Sequence, residues 1–236
     1  MSAAITLADI EREFNFIYPA LYKQMDKDGM LNVGEYRPNW YKEVFPKLKD
    51  NPTLLLHVYD FESLNANGVR EAILELTDPD DYRAIKPGLR FIPFGQSGAG
   101  DHYCFFLNEQ DGDDIPIAFV WHDSDHATML ARNLQDYIFK SLLTAMSDQD
   151  TYNNVSDAEF MDDLQSMLKT HSKYLTERQV GILQDMLPRK ITDYAIALPN
   201  GRKEMHRGLL TETELEEILD EVIPYEKMGL KIPYSD

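Results

Sequence analysis

The sequence predicts an α+β fold, a small antiparallel sheet flanked by helices with a mainly helical C-terminal extension, and two observations predict it. Three strand-length apolar runs within residues 89–121 are separated by glycine- and aspartate-rich turns rather than by helical crossovers. Beyond residue 147, three Ser/Thr-x-x-Glu/Gln start signals each stand ahead of apolar residues at helical spacing. Residues 1–146 are expected to form the sheet-bearing domain and 147–236 the extension, with the junction in Ser147 to Asn154.

In chain order, Thr6 and Asp9 form a helix start, and Ile10, Phe14 and Ile17 follow at helical spacing until Pro19 limits the element. Ala20 to Asp28 reads as a second short helix, opened by that proline and closed by Gly29. Residues 30–52 mix Gly34, Pro38, Pro46 and Pro52 with Trp40, Tyr41, Val44 and Phe45, the pattern of irregular chain packed by aromatics, with one helical turn at most. Leu54 to Tyr59 has strand length and composition; Asn67 to Leu76 reads as a helix carrying Val69, Ile73 and Leu76. The meander follows as Leu89–Phe94, Tyr103–Leu107 and Ile115–Trp121. Leu130, Leu134, Ile138 and Leu142 then mark a helix over about residues 126–145 that covers one face of the sheet. In the extension, Ser156/Glu159, Thr176/Gln179 and Thr211/Glu214 are the capping signals, and Tyr194–Leu198 with Pro199-Asn200-Gly201 reads as a strand and turn.

Composition narrows the function classes. At 236 residues the chain is long enough to bury a core without staples, and its single cysteine, Cys104, leaves no internal disulfide and no cysteine-rich metal site, as suits a reducing compartment such as the cytoplasm. The N-terminus lacks a basic cluster followed by an apolar stretch, and no apolar run approaches the roughly 20 residues of a membrane span. Lysine and arginine total 23 against 41 aspartate and glutamate, a net charge of −18 that opposes binding to nucleic acid or to anionic membranes and steers basic partners inward. The acidity is spread: residues 1–146 hold 13 basic and 23 acidic groups, and 147–236 hold 10 and 18.

The chemistry-bearing motifs are weak. Gly95, Gly98 and Gly100 lack the P-loop lysine and lead into a strand, so they read as a tight inter-strand connection rather than a phosphate cradle. Ser97 falls one residue short of a nucleophile elbow, which would have to enter a helix; His102 and nearby aspartates are common company for any serine. His122 and His126, four apart in His122-Asp123-Ser124-Asp125-His126, are the best metal-like pair and would serve a metal-dependent hydrolase. The competing reading makes Ser124 or Asp125 the cap of the following helix.

A resemblance becomes visible in several segments taken together: the Ile10/Phe14 helix, Tyr18-Pro19-Ala20-Leu21-Tyr22-Lys23, the run from Phe91 through Gly95-Gln96-Ser97-Gly98 to Phe105, Val120-Trp121-His122-Asp123, and Leu130 through Asn133-Leu134 to Ile138. Over about residues 5–145 the chain resembles the SUKH superfamily, which includes the yeast Smi/Knr cell-wall-synthesis regulators and many bacterial immunity proteins. Its 30–85 segment is longer than the usual insert, and the last 90 residues fall outside the likeness. The resemblance implies an α+β scaffold without enzymatic activity or cofactor, whose partner is a protein toxin, a nuclease or other secreted effector used in bacterial competition. For such a partner the expected docking residues are Glu35, Trp40, Tyr41 and Glu43 in the aromatic segment and Asp111, Asp113 and Asp114 in a meander turn.

Overall fold

The computed structural model describes residues 5–34, 37–149, 155–198 and 201–235. Helix α1 (Leu7–Phe14) opens on a complete capping box between Thr6 and Asp9. It ends earlier than the apolar spacing indicates, because Asn15 turns left-handed at φ +51 and Ile17 lies exposed beyond it. Helix α2 (Ala20–Lys27) closes at Gly29, φ +78. The aromatic segment holds two single turns, α3 (Trp40–Glu43) and α4 (Phe45–Leu48).

The run Leu54–Tyr59 is not a strand. Leu54 and Leu55 are buried as expected of it, but the backbone turns there, with Leu55 at φ +52 and Asp60 at φ +56. Its amides find partners elsewhere: Leu54 N–H donates to the Met30 carbonyl (2.8 Å) and Leu55 N–H to His171 Nε2 (3.0 Å). Strand β1 (Glu62–Ser63) comes after it, and Asn65 caps α5 (Ala66–Leu76).

The meander forms as predicted: β2 (Phe91–Gln96), β3 (His102–Phe106) and β4 (Ile117–Val120) pair antiparallel in sequence. A register shift between Pro93 and Gly95 re-aims β2, and a side chain at Gly95 would stand 2.5 Å from the Phe61 ring, so the glycine is there for close approach. The expected 126–145 helix is instead a fourth meander strand, β5 (His126–Ala131), followed by α6 (Leu134–Ser147) capped by Asn133. Leu130 therefore sits on a strand and not on the helical stripe. The strand's own alternation, Ala127, Met129 and Ala131 inward, is built mostly of alanine and carries little apolar signal.

The C-terminal residues return to this sheet. After α7 (Asp157–His171), α8 (Glu177–Met186), the hairpin β6 (Thr192–Ala197) and β7 (Lys203–Gly208), and α9 (Glu212–Val222), strand β8 (Lys231–Pro233) pairs with β5. The sheet order is β1-β2-β3-β4-β5-β8, antiparallel throughout. Tyr234 seals that edge: it is fully buried, and its hydroxyl lies 2.6 Å from the carbonyls of Trp121 and Ser124. The hairpin does lie where Tyr194–Leu198 was expected, although Pro199 and Asn200 fall outside the described residues, as do residues 150–154 of the expected junction.

Two apolar clusters result from strand alternation. On one face Ile92, Phe94, Phe105 and Ile117 pack with Tyr18, Tyr22 and the buried stripe of α6, a cluster continued by Phe160, Leu164 and Leu183 of the C-terminal helices. On the other, Phe91, Cys104, Phe106, Val120, Met129 and Tyr234 form a smaller one with Leu76. Where α6 meets β7, Gly208 lies so close to the Ser147 carbonyl that a Cβ would overlap it, while Leu209 N–H donates to Met146 (2.8 Å) and Tyr194 Oη to Ser147 (2.7 Å).

Candidate docking surface

The predicted docking residues fall into two groups that share no hydrogen bond or ring contact among the described residues. In the first, Trp40 is buried and its indole donates to the Val33 carbonyl at 2.8 Å, so it is part of the packing. Tyr41 projects outward, 74% exposed, with its ring perpendicular to Trp40 at 5.1 Å and near Phe45 at 6.0 Å. Glu43 is exposed on the same turn, and Glu35 lies outside the described residues. An aromatic body fixed at its base by other rings presents area to a partner at little entropic cost.

In the second group the acids are exposed but partly engaged. Asp111 and Asp114 exchange backbone hydrogen bonds (2.9 and 3.0 Å) that close the turn. Asp113 receives the Ala20 N–H at 2.9 and 3.1 Å, capping α2 from a distant part of the chain, where Pro19 supplies no side-chain acceptor. Asp114 accepts from Asn133 Nδ2 (2.7 Å), the residue that caps α6. The turn thus anchors two helix starts while showing carboxylates to solvent.

A stronger acidic surface was missed in the sequence. Helix α9 carries Glu212, Glu214, Glu216, Glu217, Asp220 and Glu221 and no basic residue. Only half of its expected capping box forms: Thr211 accepts from Glu214 N–H (3.2 Å), but the Glu214 carboxylate turns to Arg189 (2.6 Å). Glu221 meets Arg178, which leaves Glu212, Glu216, Glu217 and Asp220 facing water. The run of acids in Glu212–Glu221 was the available signal.

The polar residues near the meander turns form a structural network. Asp101 is buried; its Oδ1 accepts the backbone N–H and the ring Nδ1–H of His122, both at 2.7 Å, and its Oδ2 accepts from Ser97 Oγ (2.7 Å). Burial opposes ionisation of Asp101, yet these hydrogen bonds hold its carboxyl below the ordinary aspartate value. Ser97 Oγ also accepts from the amides of Ala99 (3.2 Å) and Asp101 (3.1 Å), so it closes a turn and leads into β3, not into a helix. His102 has Nδ1 3.4 Å from Arg83 Nη1, and burial lowers its pKa.

His122 and His126 do not converge. No helix follows them directly, which removes the capping role expected for Ser124 or Asp125; Ser124 Oγ and Asp125 instead contact His126 Nδ1 at 2.6 and 3.1 Å. Among the described residues, the group of three whose ligand atoms come within 4.8 Å of one another is Asp101, His122 and Asp123, and the Asp101 carboxylate is already committed to His122 and Ser97. Among the described residues, no helix is long and apolar enough to cross a membrane.

Comparison with the curated proteins and with the solved structures gives no match. The model of the SMI1 / KNR4 family (SUKH-1), in contrast, matches residues 3–140, a stretch that runs from the first helix through the whole meander and into α6. That is more than half of the chain, and the chain belongs to the SMI1 / KNR4 family (SUKH-1).

Proposed function

We propose that this protein is an immunity-type binding protein that neutralises a cognate basic toxin by direct docking, in the cytoplasm of the cell that makes it and without a cofactor or catalytic step. Family membership supports the general role, since the family is associated with immunity proteins and with SMI1 / KNR4 regulators. The observation that carries the basic partner is the charge of −18, including an exposed helix with six acids and no base. Opposite charge accelerates encounter and selects the partner, whereas a few rigid aromatic anchors supply most of the affinity. Tyr41, supported by Trp40, is the proposed anchor; Glu35, Glu43, Asp111, Asp113 and Asp114 are the proposed flanking acids.

The test is co-expression with candidate basic toxin domains, beginning with the products of any neighbouring toxin genes. Rescue of growth together with a stoichiometric complex of the purified proteins supports the reading; a toxin that kills equally with and without this protein, and that forms no complex with it, sinks it. Tyr41→Ala should weaken the complex at least about tenfold, mainly through faster dissociation.

A further inference from the structure

A cavity of about 230 Å³ opens between the Val58–Tyr59 turn and α6, walled by Val58, Tyr59, Tyr137 and Ala145, with Lys140 set into it. We propose that this cavity is a binding site for a small apolar carboxylate, an acid with a single ring or a short chain, whose charge is met by the Lys140 ammonium. The site does not depend on the docking role and shares no residue with the set assigned to it.

Lys140 is the unusual element. One of its three N–H donors reaches the Leu130 carbonyl at 3.1 Å, and among the described residues that carbonyl is its one hydrogen-bond partner. Burial lowers its pKa, and among the described residues no carboxylate offsets that cost. Asp148, which also lines the cavity, stands 3.4 Å from His206 Nδ1 instead. A largely desolvated ammonium with spare donors, beside the apolar surface of Val58, Tyr59, Tyr137 and Ala145, is stabilised most by a monoanion that brings its own apolar body. Size restricts the ligand: drug-sized ligands occupy cavities of about 300–1,000 Å³, and this one is smaller. Ser141 does not compete for the carboxylate as a donor, since its hydroxyl is given to the Tyr137 carbonyl at 2.8 Å.

The experiment titrates the isotope-labelled full chain with phenylacetate and, separately, with its neutral isostere phenylacetamide, following backbone and lysine side-chain resonances. Saturable shifts at Tyr59, Lys140 and Thr144 are expected, with the acid binding at least about tenfold more tightly than the amide. Lys140→Met, which keeps the stem and removes the charge, should bind acid and amide alike. Thr144→Trp, at an exposed position on the cavity rim, should abolish both while leaving the fold intact. Absence of saturable shifts at these residues at about 10 mM phenylacetate, equal affinity for acid and amide, or a preference for the acid that survives Lys140→Met would each overturn the proposal.

Discussion

His171 shows how one side chain fastens an irregular segment. It is fully buried on α7, its Nδ1 donates to the Met167 carbonyl (2.8 Å), and its Nε2 must be unprotonated to accept the Leu55 N–H. Burial pushes its pKa down to about 4, from an ordinary value near 6.5. The folded-state value lies below the unfolded one, so the unfolded chain binds the extra proton first: the contribution is complete above about pH 6.5 and is lost as pH falls toward 4. The difference corresponds to about 3 kcal/mol. Urea midpoints should therefore fall more steeply between pH 7 and 4.5 for the native protein than for His171→Met, and parallel curves would show that the ring is not held neutral. Asp101 acts comparably on the meander turn. Asp101→Ala removes the acceptor of the part-buried His122 amide and of the buried Ser97 hydroxyl, and should cost about 2–3 kcal/mol in urea unfolding. Ser97→Ala, His122→Ala and His126→Ala, when folded, should still protect against the toxin; loss of protection in a variant with native melting behaviour would point to catalysis.

At the level of elements, the legible parts were those whose signal is local. Thr6/Asp9, Ser156/Glu159 and Thr176/Gln179 each form the reciprocal capping pair that their spacing predicts, and the three apolar runs of the meander pair in sequence. What was not legible depends on distant partners. Strand β5 is hidden because Leu130 and Leu134 are spaced as on a helix, while its inward positions are mostly alanine. Leu54–Tyr59 has the composition of a strand, but the Leu54 and Leu55 amides go to Met30 and His171, the latter 116 residues away, while those of Leu56 and Val58 close local turns on Thr53 and Leu55. Of the proposed docking residues, the sequence marked Trp40 and Tyr41 as aromatic but could not show that one supports the other; only burial separates them. The junction of α6 and β7 gives a test at this scale. Gly208→Ala would drive a methyl group into the Ser147 carbonyl, a backbone atom with little room to move, and should cost about 2–3 kcal/mol or more. An unchanged melting temperature would mean that the two elements are not in such close contact.

For the molecule as a whole, the C-terminal chain is stitched into the sheet it follows: β8 extends the β5 edge, Tyr234 N–H bonds the Asp125 carbonyl (2.9 Å), and Lys86 N–H bonds the Tyr234 carbonyl (2.7 Å). The scaffold carries an acidic exterior that includes α9, and on the proposed reading this charge draws in a basic toxin. Attraction between exposed charges is screened beyond a Debye length of about 10 Å at 0.1 M salt and about 3 Å at 1 M, whereas contacts buried after docking are screened much less. The most direct measurement is the association rate constant with the purified toxin as a function of ionic strength, from about 0.05 to about 0.5 M. Electrostatic steering should make the association rate fall at least about tenfold, with a much smaller change in dissociation. An association rate that stays flat across that range would contradict it and leave the acidity as a solvated surface with no part in recognition.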